Sequence, residues 1–344
     1  MGSAALLKGW APYAALRMAA SALHLFGIRQ NLRTAAGIGQ LFARLGPRRV
    51  DRAVRHVRWA FPDMPEERAR ELAVASVRHM FQLFLVDSVA GPQVLNRNGW
   101  PEHVALDDLK PTMRLLLQDR PALFVTGHMG NWEFLGLALS TLGFRMSALA
   151  RPLDNPFLNE WLLGMRQRRG LEVLTKWGAT TEVQRVIESG GRVGFIADQN
   201  AGDDGLFVPF FGRMASSYKS IGLLALRYRL PIVVGAAIRQ GEDLRYRILT
   251  TDVIQPEECE RAPDPVFYAT ARFNRAIEAS VRIDPSQYLW IHRRWKSRPS
   301  WERQGKPMPD RVRRRLLELP WLDEAQVDAL ATATVPEEPA RGAA

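Results

Sequence analysis

The sequence predicts an α/β fold: a mixed, largely parallel central sheet covered by helices, preceded by N-terminal membrane-associating helices. From residue 121 onward, short apolar runs alternate with stretches of helical period, the pattern of strands crossing over through helices. A chain of 344 residues that is 47% hydrophobic can also bury one large core. There are no internal repeats and no low-complexity block, so neither a solenoid nor a disordered chain is expected. Three segments are expected: 1–30 as a membrane-associating segment, 31–310 as the main domain, and 311–344 as a helical tail.

Residues 10–28, WAPYAALRMAASALHLFGI, are mostly apolar but interrupted by Arg17 and His24. A central Arg costs about 2.5–3.5 kcal/mol on insertion scales, which favours an interfacial or packed helix over a spanning one. No small-residue cleavage site follows, so a signal peptide is not expected. In PRRVDRAVRHVRWAF, 47–61, Val50, Val54, Val57 and Phe61 share one helical face and Arg48, Arg52 and Arg55 another. The turn FPDMP then leads into a second helix, EERARELAVASVRHMFQLFLVD, with acids in its first turn as the helix dipole prefers. Strand and helix candidates follow in order: PALFVTG with NWEFLGLALSTLG, RMSALA with FLNEWLLGMRQRRG, EVQRVIESG with RVGFIAD, SSYKSIGLLALRYR with LPIVVGAAI, and DPVFYATARFNRAIEASV with QYLWIH. The last segment, from Pro309, reads as one or two short helices and a frayed end.

Forty-seven Lys and Arg against 36 Asp and Glu give a net charge of +11. The excess is uneven: six Arg against Asp51 alone from Arg44 to Arg58, and ten cations against Glu302 and Asp310 from Arg293 to Arg315. Such runs suit polyanions, whether nucleic acid, phosphorylated molecules or an anionic membrane surface, or else form a solvated face. No RNP, KH or zinc-finger pattern accompanies them, which argues against nucleic acid. A single cysteine, Cys259, excludes an internal disulfide or a cysteine-rich metal site. The chain has no G-x-S-x-G elbow, no H-E-x-x-H and no P-loop. DQNAGDDG, 198–205, fails as a calcium loop because Asp203 stands where glycine is needed and Pro209 where the closing Glu belongs.

In TGHMGNWEFLG, 126–136, His128 and Glu133 stand five positions apart. On one helix such residues point about 140° apart and cannot converge. A strand ending near Thr126, a turn through Gly127 and Gly130, and a helix capped by Asn131 would instead aim both side chains into the crevice at a strand's carboxyl end. Asp198 and Gln199 follow the run RVGFIA and are expected at the carboxyl end of a neighbouring strand. The competing reading makes Glu133 a dipole-satisfying helix residue and Asp198 a loop cap.

GHMGNWE closely resembles the first block of the bacterial lipid A late acyltransferases, the H-x-x-x-x-E type. RPLDNPFLNEWLLGMRQRRG, 151–170, is similar to the second block, with Arg151 and Arg166 at its recurring arginines. IADQNAGDDGLFVPFFG, 196–212, resembles the third and YLWIHRRWKSRP, 288–299, the closing one. Related glycerolipid acyltransferases usually carry Asp in place of Glu133 and a later E-G-T-R-like block, and this chain has neither. The resemblance spans roughly residues 10–300. It implies an acyltransferase domain over 31–310, with no cofactor and no metal, that moves a fatty acyl group from an acyl carrier protein thioester to a hydroxyl of a lipid A precursor at the cytoplasmic face of the inner membrane. Another glycolipid acceptor, or a non-catalytic basic protein binding anionic surfaces, are the alternatives.

An acyl thioester is already activated, so the chemistry needs a base and an oxyanion stabiliser rather than a covalent nucleophile. His128 is expected to be that base, with Glu133 fixing its tautomer. Arg166, or the backbone N–H groups near Gly130 and Asn131, would face the developing charge. Asn131, Arg151, Arg166, Asp198 and Gln199 are expected to contact substrate. VPFFG either lines an acyl tunnel or forms a buried turn. The basic cluster of HRRWKSRP suits an acidic acceptor or acyl carrier protein.

Overall fold

The computed structural model describes residues 10–11, 13–14, 17–18, 20–22, 25–107, 109–150, 155–167, 170–175 and 179–333. A seven-stranded sheet forms its centre, with strands β1 Val104–Asp107, β2 Ala122–Thr126, β3 Met146–Ala150, β4 Leu171–Thr175, β5 Arg192–Ile196, β8 Ile232–Arg239 and β9 Tyr246–Ile254 in the order β1-β9-β8-β2-β5-β3-β4. The five strands from β8 to β4 are mutually parallel, while β9 pairs antiparallel with β8 and carries β1 parallel to itself at the edge. β6 Leu206–Phe210 and β7 Arg213–Ser217 form a separate antiparallel hairpin. The expected mixed, largely parallel sheet is therefore present, and β1, β4, β9 and the hairpin are additions to it. β1 and β4 are the edge strands, β9 is one in from the edge and only partly buried, and the hairpin stands outside the sheet, so the apolar signal of a strand buried on both faces is diluted in each.

β2 is buried along its whole length, as a central parallel strand must be when helices cover both faces. Its residues divide between two cores. Leu123 and Val125 pack with Val193, Ile232 and Val234 toward helix α10, Pro265–Ile283, whose Phe273 and Ile277 join the same cluster. Ala122 and Phe124 face the opposite side, with Met146 and Val233, toward α5, Lys110–Leu117, and α6, Trp132–Thr141. Asp264 caps α10 by accepting from Phe267 N–H at 2.9 Å.

Before the sheet come α1, Ile28–Leu45, α2, Pro47–Ala60, and α3, Glu66–Gln82. α2 is amphipathic as expected: Val50, Val54 and Val57 are buried while Arg48 and Arg55 are exposed. α3 runs through a π-helical turn, Leu83–Asp87, into α4, Ser88–Val94. This continuous run, Glu66–Val94, is the one helix among the described residues long and apolar enough to cross a membrane by length and composition. With 44% of its most apolar window buried inside the protein, the core accounts for much of that apolarity. Of the expected helix at 10–28 only scattered positions lie within the described residues.

Between β3 and β5 lie α7, Pro156–Gln167, and α8, Ala179–Glu188; α9, Ser220–Arg227, follows the hairpin. The tail forms α11, Asp310–Leu317, and α12, Glu324–Thr332, and buries Leu316, Leu319, Val327 and Leu330 against Val208 and Met214 of the hairpin and Phe267 of α10. Residues 334–344 lie outside the described residues. The expected strand QYLWIH is instead a loop. Tyr288 makes a single bridge to Met129 and the backbone then turns, with Trp290 N–H donating to Tyr288 O and His292 N–H to Leu289 O. Its backbone reaches the turn after β2 rather than a strand, and only the Gln287 side chain bonds a strand, at Arg239 of β8.

The π-helical turn delivers Asp87 into the interior, where it is fully enclosed and accepts from Arg239, Tyr246 and Asn131. Removing one member of a buried ion pair leaves the other charge uncompensated, which typically costs about 3–5 kcal/mol. Asp87→Ala should lower unfolding free energy by that amount in chemical denaturation. The double variant Asp87→Ala, Arg239→Met should recover part of it.

Candidate active site

The loop between β2 and α6 is held from every side. Gly130 has φ +58°, and a Cβ there would stand 2.0 Å from Ala237 O, so only glycine fits this close backbone approach. Gly130 N–H donates to Gln287 O at 3.1 Å, Asn131 N–H to Ala237 O at 2.8 Å, and Leu289 N–H to His128 O at 3.0 Å. Gly130 O is 3.0 Å from Nε2 of His79, a buried histidine on α3. Burial, with the Arg239 charge nearby, pushes the His79 imidazole down to about 4, so it is neutral at pH 7 and Nε2–H donates to Gly130 O.

Strand register then sets the central contact. Thr126 of β2 pairs with Ile196 of β5, and His128 and Asp198 each lie two residues beyond that pair. Asp198 accepts twice from His128: from the backbone N–H at 2.8 Å and, through Oδ1, from Nδ1 at 2.7 Å. An ionised carboxylate only accepts, so Nδ1 carries a proton, and in the neutral imidazole Nε2 bears the lone pair. Burial opposes ionisation of Asp198, but the electrostatic attraction of the His128 ring and both hydrogen bonds outweigh it and hold the carboxyl well below the usual carboxylate range. Gly127 leaves room for this approach: a Cβ there would stand 2.8 Å from Ile277 Cγ2 and 3.3 Å from Asp198.

Gln199 lies 3.3 Å from His128 Nε2, its amide N–H donating to the lone pair. Trp132 meets the imidazole edge-on at 4.8 Å between centroids, and His292 lies parallel to it at 6.4 Å. Burial pushes His292 down to about 4 against the pull of the Asp198 carboxylate, and the Arg294 charge adds to the drop. Below Gln199, the buried Arg294 donates to the neutral oxygens of Ser216, Ser217 and Asn274.

Glu133 does not fix the His128 tautomer, as the spacing suggested. It sits in the first turn of α6 and accepts a forked pair from Arg166 in the last turn of α7, Nε to Oε2 at 2.8 Å and Nη2 to Oε1. The geometry gives the orienting role to Asp198, because adjacent strand ends in register bring it closer to Nδ1 than a residue one helical turn along the same chain. Asn131 is likewise a structural cap: it is buried, accepts from Phe134 N–H at 2.8 Å and donates to Asp87 at 3.1 Å. The backbone N–H groups of Gly130 and Asn131 are already donated elsewhere, so neither faces the site. Arg151 lies outside the described residues. Within HRRWKSRP, Arg294 and Arg298 are interior, the latter paired with Glu302, so these two cations are unavailable to an acidic partner.

His128, Trp132, Glu133, Arg166 and Gln199 rim a cavity of about 520 Å³ that continues down the sheet face under α5 and α6. Its wall is overwhelmingly apolar, including Met113, Leu116, Phe124, Leu139 and Leu171. VPFFG does not contribute. Val208, Phe210 and Phe211 are buried core residues of the hairpin and its turn. His79, Asp87 and Arg239 were not signalled by any local pattern, being singletons from distant elements, while His292 and Arg294 lay within the basic closing block without being singled out.

The family model described as bacterial lipid A biosynthesis acyltransferase matches residues 6–297. The chain is 25% identical over 274 residues to the lipid A biosynthesis lauroyltransferase of Escherichia coli (strain K12), covering 78% of this chain and 85% of that protein. It is 29% identical over 246 residues to the lipid A biosynthesis palmitoleoyltransferase of the same strain, covering 70% and 73%. With a lipid A biosynthesis acyltransferase of Haemophilus influenzae it shares 25% identity over 269 residues, covering 76% and 83%.

His79 and His292 generate a pH dependence of stability. Both have folded values near 4 against about 6.5 when unfolded, so between those limits the unfolded chain binds more protons and stability falls as pH falls. Each histidine contributes about 1.4 kcal/mol per pH unit across that window. Urea midpoints at pH 7.5, 5.5 and 4.5 should decline steadily. His79→Gln should flatten the decline by one histidine's share.

Proposed function

The chain belongs to the bacterial lipid A biosynthesis acyltransferase family, and from that premise we propose that it transfers a fatty acyl group from an acyl carrier protein thioester to a hydroxyl of a lipid A precursor at the cytoplasmic face of the inner membrane. The observation that carries this reading is the His128 imidazole, pinned through Nδ1 by Asp198 and turning Nε2 toward the rim of a deep apolar cavity.

The acyl chain occupies the cavity and the thioester carbonyl rests at its rim. The acceptor hydroxyl displaces the Gln199 amide from Nε2, gives its proton to the imidazole and attacks the carbonyl carbon. Asp198 stabilises the imidazolium, in the manner of a hydrolytic triad without its serine. The tetrahedral oxyanion faces Arg166, whose Nε and Nη2 are fixed by Glu133 while Nη1 is not used by that fork. Collapse expels the carrier thiolate, which takes the proton back from the imidazolium. Ester and free thiol result, and no covalent enzyme intermediate is required.

Membrane association is supported by apolar side chains exposed on one face of α1, Ile38, Leu41 and Leu45, beside the exposed Arg48 and Arg55 of α2. An anionic surface attracts each nearby cation by about 1 kcal/mol. Binding to vesicles containing anionic lipid should weaken with salt and should fall about fivefold for each of Arg48→Gln and Arg55→Gln. Equal binding to neutral vesicles would remove this basic face from the reading.

His128→Ala should lower transfer from acyl carrier protein about 10²–10⁴-fold while circular dichroism is unchanged. Arg166→Lys should also be impaired, since a single ammonium cannot hold the Glu133 fork and face the oxyanion together. Glu133→Gln should reduce kcat by releasing Arg166, with the KM for acceptor little changed. Parental rates in all three folded variants would refute the mechanism. Mass spectrometry of the product identifies the acceptor and distinguishes a lipid A precursor from another glycolipid.

A further inference from the structure

Across the middle of the sheet the cavity-facing row runs, in register, Val233, Phe124, Gly194, Ala148 and Val173 on β8, β2, β5, β3 and β4. All five line the cavity. Gly194 and Ala148 are adjacent and are the two smallest, so the row is low at its centre and high at its flanks. Gly194 sits on a central strand with neighbours on both sides, yet it is not fully buried, because the space above it is the cavity itself. Its backbone does not demand glycine: φ is not positive, and a Cβ built there meets nothing nearer than Ser147 O, at an ordinary 3.7 Å. A glycine that neither a turn nor a close backbone approach requires, in a strand interior where it costs about 0.5–1 kcal/mol relative to alanine, calls for another explanation.

We infer that Gly194, with Ala148 beside it, is the gauge that sets how long an acyl chain the cavity admits. Gly194 and Asp198 are four residue steps apart, which at about 3.3 Å each places the gap about 13 Å below the His128 end. A zigzag of about 1.5 Å carbon–carbon bonds advances about 1.3 Å per carbon, so this depth corresponds to about the tenth carbon of a bound chain. Beyond the gap the cavity continues to Leu142, Met146 and Leu171. The cavity also widens sideways to Leu106, Gly235 and Leu249, but a chain running down the strands crosses Gly194 and Ala148 once it is longer than about ten carbons, while shorter ones end above them. A branched side chain at either position projects into the path without striking the backbone, and it closes only the lower part.

This inference rests on the acyl-transfer reading, and two measurements separate them. Saturated acyl carrier protein donors of 8, 10, 12, 14 and 16 carbons are compared with the parent, Gly194→Val, Gly194→Leu and Ala148→Val, alongside melting of each protein with free saturated fatty acids of the same lengths. The parent should favour chains of twelve carbons or more. In Gly194→Val and Ala148→Val the ratio of 14-carbon to 8-carbon kcat/KM should fall at least tenfold, with the 8-carbon rate kept within about threefold, and Gly194→Leu should fall further. The melting shift given by long fatty acids should shrink in parallel while that given by octanoate stays. If Gly194→Leu does not fold, the two valine variants on different strands decide the matter. Unchanged chain-length ratios and unchanged fatty-acid shifts in folded variants overturn the gauge. If the parent transfers no acyl group from any donor, the function is wrong and the fatty-acid shifts alone decide the gauge.

Discussion

The Asp198–His128 pair depends on two parallel strands ending level with each other. Because Thr126 and Ile196 are in register, the residues two steps further on meet with one carboxylate serving both a backbone N–H and a ring N–H. A slip of one residue in β5 would turn the carboxylate to the opposite face of the sheet, since side chains alternate along a strand. The apolar packing of Val193 and Val125 on the α10 side thereby fixes the Asp198–His128 contact on the other side. Core register and imidazole orientation are one constraint.

Keeping that carboxylate ionised in the interior needs compensation, and much of the polar architecture near the strand ends supplies it. The turn bearing His128 spends its backbone donors on Gln287 and Ala237 and receives His79 from below, so little of its geometry is left free. Arg239 and Asp87 brace the same region through Asn131, and Arg294 props the backbone of the hairpin beneath Gln199. Such buried charges contribute little net stability compared with apolar replacements; their effect here is to leave one arrangement for the imidazole. The apolar cavity is the counterpart of this polar cap. It is left open by small residues in the middle of the sheet, and an empty apolar channel is itself a cost that closer packing would avoid.

Strand and helix alternation made the parallel part of the sheet legible, because strands buried on both faces read as short apolar runs separated by helical periods. The helix capped by Asn131, the turn at Gly130, and the position of Asp198 at the carboxyl end of a strand all followed from local rules. Tyr246–Ile254 and the hairpin of Leu206–Ser217 did not: the first lies one strand in from the edge and is only partly buried, and the second stands outside the main sheet, so both carry mixed patterns. QYLWIH carried a strand-like pattern, but its backbone bridges only the turn after β2, and it reaches a strand only through the Gln287 side chain on Arg239 of β8.

By itself the sequence determined the sheet's parallel core, the histidine and acid types at strand ends, and the family whose blocks they belong to, because each is encoded in contiguous residues. Only the tertiary structure decided which acid serves His128, that Glu133 belongs to Arg166, that two cations of the basic cluster are interior, and that a cavity opens over Gly194. Those facts depend on the register and spacing between segments far apart in the chain. Local pattern fixes which faces are apolar, whereas a hydrogen bond of 2.7 Å between residues 70 positions apart is set only when the strands that carry them have paired.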